Sequence, residues 1–273
     1  PSVPWPAVPP LVMGILNVTP DSFSDGGRYL DVEAAVAHGR DLVRQGADVI
    51  DVGGESTRPG AEPVAAVDEL ARVLPVVEAL AGEVRVSIDT SKPEVARAAL
   101  AAGASLVNDV SASLEGVAAE AGAGWIAMHL RGTPRTMQVD PRYDDVVAEV
   151  TAHLLARAEA GRAAGVGELW IDPGIGFGKT AAHNWALLDA LADLVAEGVP
   201  VAVGTSRKAF LGALVARVDG SGGLAPAEDR LVPSVATAVR AVLDGAALVR
   251  VHDVAATRAG LRAAGADGAA VAA

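Results

Sequence analysis

Two carboxylates, Asp89 in Ile88-Asp89-Thr90 and Asp172 in Ile171-Asp172-Pro173, each end a strongly apolar run. With Asn108 beside them they would suit a flat, nitrogen-rich heterocycle. A carboxylate accepts two parallel N–H bonds from an amino-pyrimidine edge much as it does from a guanidinium group. Either Asp alone could also serve as a helix N-cap. Cations end two further runs, in Gly204-Thr-Ser-Arg-Lys208 and Arg250-Val-His252. Residues i and i+2 of a strand share a face, so Arg250 and His252 read as a paired grip on an anion. Lys208, read in the first turn of a helix, opposes the helix dipole, which a bound anion or polar ligand would offset. Beside Lys208 both carboxylates are expected to stay ionised.

Two loops add to this set. Asn17-Val-Thr-Pro-Asp-Ser-Phe-Ser-Asp-Gly-Gly27 carries Phe23 among the hydroxyls of Thr19, Ser22 and Ser24, and it ends in glycine. Loops hinged in this way often close over substrate. Gly53-Gly-Glu-Ser-Thr-Arg-Pro-Gly60 places Arg58 between a hydroxyl and a fixed turn, suited to a phosphate or carboxylate. The competing use of Arg58 is a surface ion pair with Glu55 or Glu62.

Other chemistries fail on spacing. Gly174-Ile-Gly-Phe-Gly-Lys-Thr180 resembles a P-loop, but Pro173 stands where the motif needs its first glycine. Lys179 likewise occupies the place of the last glycine of a dinucleotide fingerprint. The histidines are scattered and no His-Glu-x-x-His occurs, so a zinc hydrolase has no ligand set. Cysteine is absent, which excludes disulfides, thiolate nucleophiles and cysteine-ligated metals. A net charge of −12, from 22 basic and 34 acidic residues, argues against nucleic acid or an anionic membrane as partner. With no membrane-length apolar stretch, the expected setting is the cytoplasm.

The elements that must position these groups repeat as apolar run, polar ending, helix. Strands are expected at 11–17, 47–53, 84–89, 105–109, 125–129, 168–172, 200–205 and 246–251. Helices fit 31–45, 63–81, 93–102, 114–121, 142–164, 181–197, 208–217 with 231–244, and 254–264. Asp31 and Pro93 mark helix starts, and Gly46, Gly103 and Gly165 mark stops. Alternating strands and helices build parallel βαβ units, and eight of them fill a (β/α)8 TIM barrel. An open doubly wound sheet is the alternative. The 273 residues suit one domain, and a core 51% apolar but 3% aromatic in composition fits a barrel of Val, Leu, Ile and Ala. The expected organisation is a Pro-rich strap over 1–10, the barrel over 11–264 and a flexible tail over 265–273. Residues 219–228 read as a flexible insertion.

Several of these strings resemble the dihydropteroate synthase family. They are Met13-Gly-Ile-Leu-Asn-Val-Thr-Pro-Asp-Ser-Phe-Ser-Asp-Gly-Gly27, Asp51-Val-Gly-Gly-Glu-Ser-Thr-Arg-Pro-Gly60, Asp172-Pro-Gly-Ile-Gly-Phe-Gly-Lys179, Ser206-Arg-Lys208 and Arg250-Val-His-Asp253. The likeness runs in order from about 11 to 264. It implies condensation of 6-hydroxymethyl-7,8-dihydropterin diphosphate with 4-aminobenzoate, giving 7,8-dihydropteroate and diphosphate in folate biosynthesis. By this resemblance Asp89, Asn108, Met128, Asp172 and Lys208 hold the pterin. Asn17 binds Mg²⁺ and diphosphate, with Arg58, Arg250 and His252 on the diphosphate. Thr57, Arg58, Pro59, Phe177 and Ser206 frame the aminobenzoate. Phe23 and Asp25 come from the closing loop, and with Asp89, Asp172 and Lys208 they complete the catalytic set. The resemblance also implies a homodimer and a sulfonamide target.

One segment departs from the family pattern. After Asn108-Asp-Val-Ser111 the family has Gly-Gly and a longer helix, whereas here Ala112-Ser-Leu-Glu115 leads quickly to Gly122. That shortening is expected to change the loop beside Asn108 and loosen the barrel locally. Two other functions compete: a pterin-binding methyltransferase domain, and a catalytically idle paralogue that binds pterin. His129, at the end of the fifth strand, has no role in this reading.

Overall fold

The computed structural model describes residues 9–19, 28–57 and 60–268. Its eight strands are β1 (Leu11–Asn17), β2 (Val49–Gly53), β3 (Arg85–Asp89), β4 (Leu106–Asp109), β5 (Gly124–Met128), β6 (Leu169–Asp172), β7 (Ala202–Val203) and β8 (Leu248–Val251). They pair in parallel in the order β6-β5-β4-β3-β2-β1-β8-β7. A single bridge, Ile171 to Val201, closes the ring between β6 and β7. The chain is therefore a (β/α)8 barrel, as eight strand–helix units require.

Among the described residues the helices are α1 (Arg28–Arg44), α2 (Ala66–Leu80), α3 (Pro93–Ala101), α4 (Glu115–Glu120), α5 (Val146–Ala164), α6 (Ala181–Asp189), α7 (Leu191–Ala196), α8 (Ala209–Asp219), α9 (Leu231–Leu243) and α10 (Val254–Ala263). Alternation along each strand splits the core in two. Met13, Val49, Leu106, Ile126, Trp170, Ala202 and Leu248 form one apolar cluster that plugs the barrel. Their neighbours, such as Val12, Ile50, Val107 and Val249, pack against the helix jacket. Two residues past the plug, the same inward face carries Ile15, Asp51, Asn108, Met128, Asp172, Gly204 and Arg250. The plug thus becomes the floor of a polar crater at the strands' carboxyl ends.

Four details differ from the sequence reading. The expected helix 181–197 breaks at Ala190 into α6 and α7. Helix α1 begins at Arg28, so Asp31 lies inside it rather than before it. Lys208 is the N-cap of α8, with extended backbone, one residue ahead of the first turn. The tail is tied down beyond Gly265, because Ala266 is buried and Asp267 pairs with Arg258 at 2.8 Å. Residues 1–8 of the strap and 269–273 of the tail lie outside the described residues.

The shortened β4–α4 segment is well anchored. Asp109 accepts hydrogen bonds from the backbone N–H of Ser111 (2.9 Å), Ser113 (2.7 Å) and Leu114 (2.7 Å), and from Trp125 Nε1 (3.1 Å). Ala112 takes up the left-handed backbone this tight turn needs. Where loosening was expected, a fully buried carboxylate gathers four N–H groups and holds the turn.

Candidate active site

The crater floor is a polar network assembled from four strand ends. Arg250 at the end of β8 donates from Nε to Asp51 of β2 at 2.6 Å and from Nη2 to Asp89 of β3 at 2.7 Å. Asn108 of β4 donates from Nδ2 to the same Asp51 oxygen at 2.9 Å. Parallel register places Asp89 beside Asn108 and Met128 of β5 beside Asp172 of β6. Asn17 neighbours Gly53 in register, and Asp89 lies on the other side of that glycine. A Cβ on Gly53 would stand 3.5 Å from Asp89 Cβ and 3.8 Å from Asn17 Oδ1, so glycine keeps this edge of the crater open.

Asp172 and Lys208 form the opposite wall. Asp172 accepts from the Gly174 N–H at 2.6 Å, which fixes one oxygen and leaves the other for a ligand. The Lys208 ammonium donates to the Ile175 carbonyl and lies 4.6 Å from the centre of the Phe177 ring. Between them runs the β6–α6 turn, which glycine makes possible. A Cβ on Gly174 would come within 1.9 Å of the His129 carbonyl oxygen, and one on Gly178 within 2.4 Å of the Arg131 carbonyl oxygen. Both glycines have positive φ, so the Gly-rich string that resembled a P-loop is needed for backbone packing.

Ser206 and His252 stand together: His252 donates its N–H to Ser206 Oγ at 3.1 Å, and its Nδ1 lies 3.0 Å from the same hydroxyl. Arg250 and His252 therefore meet different partners, Arg250 turned in to the carboxylates and His252 to Ser206. Next door, Arg207 holds positive φ and is clamped by Asp253 at 2.5 and 2.9 Å, which fixes the β7–α8 turn ahead of Lys208.

Burial shapes the protonation of this cluster. It raises Asp89 above the ordinary carboxylate range, opposed by Arg250 and helped by Asp51. It raises Asp172 likewise, opposed mainly by Lys208. It lowers Lys208 to about 8, opposed by Asp172. Both carboxylates were expected to stay ionised beside Lys208; loss of hydration works against that cation, so they hold their charge less firmly than an exposed carboxylate. The free site holds its charges reluctantly, as binding sites for charged or polar ligands commonly do.

The structure brings Asn17, Asp89, Asn108, Met128, Asp172, Phe177, Ser206, Lys208, Arg250 and His252 to one rim. Thr57 belongs to the loop after β2, which is anchored through Glu55. Glu55 meets Lys92 at 2.5 Å, and Lys92 also meets the fully buried Glu69 at 2.5 Å. Glu55 is therefore engaged by Lys92, while Glu62 lies 3.7 Å from Arg135. Phe23, Asp25, Arg58 and Pro59 lie outside the described residues. Neither Asp89 nor Thr90 caps α3 in the N-cap position, which is Lys92; Thr90 Oγ1 instead accepts from the Lys92 N–H at 3.2 Å. Sequence reasoning missed Asp51. It stood among the polar strand endings, but its partners lie 57 and 199 residues away.

Comparison with known proteins agrees with this geometry. The family described as "Pterin binding enzyme" matches residues 13–252. The dihydropteroate synthase of Mycobacterium leprae is 51% identical over 268 residues, covering 94% of this chain and 93% of that protein. The Xanthomonas albilineans dihydropteroate synthase solved with 4-aminobenzoic acid is 48% identical with a TM-score of 0.86, covering 96% of this chain and 94% of that one. In complex with 7,8-dihydropteroate that enzyme gives 46% identity and a TM-score of 0.83, covering 96% and 95%. The Yersinia pestis enzyme solved as a sulfonamide drug complex is 41% identical with a TM-score of 0.86, covering 98% and 99%. The chain belongs to the pterin-binding enzyme family and, within it, to the dihydropteroate synthases.

Proposed function

We propose that this crater condenses 6-hydroxymethyl-7,8-dihydropterin diphosphate with 4-aminobenzoate, releasing diphosphate and forming 7,8-dihydropteroate. The observation that carries the residue roles is the set Asp89, Asn108, Asp172 and Lys208, with Asn108 and Asp172 buried, brought to one rim by the ends of β3, β4 and β6 and by the turn before α8. The free oxygen of Asp172 and the Asn108 amide offer an acceptor and a donor–acceptor to the amino-pyrimidine edge of a pterin. Met128 packs beside Asp172 as an apolar ring contact. Arg250 and His252 take the diphosphate, where a new anion competes with Asp51 and Asp89 for the guanidinium. Phe177 and Ser206, with the loop bearing Thr57, Arg58 and Pro59, frame the aminobenzoate. Phe23 and Asp25 close the first loop over it.

Among the described residues no cluster of three His, Cys, Asp or Glu could cage a metal ion. A hard Mg²⁺ ion fits this rim nevertheless, since it needs one protein oxygen when substrate phosphates and water complete its shell. Asn17 Oδ1, at the open edge beside Gly53, would be that oxygen. When bound, Mg²⁺ would help neutralise charge on the departing diphosphate.

In the chemical step the bond between the exocyclic methylene carbon and the diphosphate oxygen breaks first, and the electron pair leaves with diphosphate. The dihydropterin ring carries the resulting cation, which Asp89 and Asp172 favour electrostatically. The aminobenzoate nitrogen then bonds to that carbon and gives up a proton. No protein nucleophile takes part. A sulfonamide, which shares the aniline half of this substrate, would occupy the same wall. A homodimer in the cytoplasm is the setting we propose.

Incubation with both substrates and Mg²⁺ should give one dihydropteroate per diphosphate, and omission of either substrate should stop turnover. Binding of pterin diphosphate with no product would instead make the chain an idle paralogue. A pH profile adds a second check. kcat/KM for pterin diphosphate reports the free enzyme. Lys208 is charged below about 8 and neutral above it, so kcat/KM should fall as pH rises through that value. The alkaline limb should vanish in Lys208→Gln, and its persistence there would refute the assignment.

A further inference from the structure

Lys179 is a buried cation that the reaction above does not use. It is 2% exposed, and its ammonium group has no carboxylate within hydrogen-bonding reach. Instead its Nζ lies 2.9 Å from His129 Nδ1, 3.0 Å from the Gly174 carbonyl oxygen and 3.0 Å from the Phe177 carbonyl oxygen. An ammonium group has three protons to donate. These three acceptors use all of them. The His129 carbonyl lies farther off, at 3.4 Å. When Lys179 carries its charge, His129 Nδ1 accepts from the ammonium group and the imidazole is neutral. Burial and the Lys179 cation lower the His129 pKa to about 3.

Burial opposes a charge here and lowers the Lys179 pKa to about 7, although Asp172 nearby favours the cation, so its retention needs a compensating use. The two carbonyls it grips bracket the β6–α6 turn. Between them lie Ile175, whose carbonyl receives the Lys208 ammonium, and the backbone that aims the Phe177 ring at Lys208. His129 is steadied in turn by edge-on contact with His153, ring centres 4.9 Å apart. The turn is supported from outside by Tyr143, which donates its hydroxyl to the Gly178 carbonyl at 2.9 Å, and by Gln138, which donates to the Gly176 carbonyl at 2.7 Å. From the buried side Asn184 accepts the Gly176 N–H at 2.7 Å and Asp172 the Gly174 N–H, while Lys179 grips the carbonyls at both ends.

We propose that Lys179, with His129 as its acceptor, is a positioning residue for the aminobenzoate subsite. Its ammonium group locks the Gly174–Phe177 turn and so sets Phe177 and the Ile175 carbonyl against Lys208. This inference rests on the assignment of Phe177 to the aminobenzoate wall.

The test is Lys179→Met, which keeps the length and removes the donors. The KM for 4-aminobenzoate should rise at least about tenfold, and clearly more than the KM for pterin diphosphate, which the turn reaches only through Lys208 and Asp172. In a Phe177→Ala background, Lys179→Met should add less than about twofold, because both changes disable the same wall. Unchanged aminobenzoate KM, equal losses for both substrates, or full additivity with Phe177→Ala would each overturn the proposal. If Lys179→Met does not fold, His129→Asn replaces it, with an expected rise of about fivefold in aminobenzoate KM, and no rise refutes it. Amide exchange at Phe177, whose N–H bonds to the Gly174 carbonyl at 3.0 Å, reads the lock without any substrate. It should quicken at least about tenfold in the variant. Wild-type protein that makes no product would count against the proposed reaction, while unchanged exchange would count against the lock.

Discussion

Asp172→Asn should lower kcat/KM for pterin diphosphate by roughly 10³-fold while leaving the fold intact, as read by steady-state kinetics and thermal unfolding. The amide can still accept the Gly174 N–H through Oδ1, so the β6–α6 turn keeps its anchor. What it presents to the ligand changes from an acceptor to an NH₂ group facing N–H donors. Buried donors on the ligand are then left unpaired, which is the costly outcome in a dry site. The sign of the stability change follows from burial. A carboxylate whose folded pKa is raised is favoured by folding while protonated, and that advantage is lost as pH rises through the raised value. Asp172 is raised in this way, so its ionised form opposes folding near neutrality. Asp172→Asn should therefore gain stability relative to wild type as pH increases from about 4 toward neutrality. A variant that loses stability with its activity would show that Asp172 serves the fold.

Arg250→Met should have the second large effect, and it should strike both activity and stability. Arg250 bridges Asp51, whose side chain is fully buried, and Asp89, whose side chain is 10% exposed. Removing one partner of a buried ionic network leaves uncompensated charge, with a typical cost of about 3–5 kcal/mol. For a chain of this size, that corresponds to a fall in Tm on the order of 10 °C. Activity should fall about 10³-fold, since the departing diphosphate loses a fixed cation. Adding Asp51→Asn separates the two effects. It removes the stranded carboxylate, so Arg250→Met/Asp51→Asn should recover part of the Tm while activity stays low. Recovery of activity along with stability would show that Arg250 acts only as a structural counter-ion.

The strand ends were legible in the sequence because the barrel repeats one pattern. Each apolar run is short, and each polar ending falls where the next loop begins, so the runs at 11–17 and 84–89 differ by at most one residue from β1 and β3. β7 is the exception. Its sheet pairing is confined to Ala202 and Val203, with Val201 contributing the closing bridge to Ile171, although the strand was expected over 200–205. Apolar character marks burial and does not reveal how many residues join a ladder. The break at Ala190 was hidden because no proline or glycine marks it.

Side-chain pairing was legible only where residue type limits the options. Asp89, Asn108, Asp172 and Lys208 stood out as polar groups in apolar settings, and one floor does collect them. Asp51 shared that setting, yet its role depends on Arg250 from the far end of the chain, a contact that local patterning does not encode. Lys179 was visible only as a failed nucleotide-binding motif, and His129 only as a residue without a task. Each explains the other once the β6–α6 turn brings them to 2.9 Å.

The most direct measurement is a crystal structure of the protein with 6-hydroxymethylpterin bound. The expected result places the amino-pyrimidine edge on the free oxygen of Asp172 and on Asn108, with Lys208 on the ring and Met128 beneath it. A pterin ring seated away from Asp172 and Asn108, with the Arg250–Asp51–Asp89 network covering the floor unchanged, would contradict the assignment of this crater.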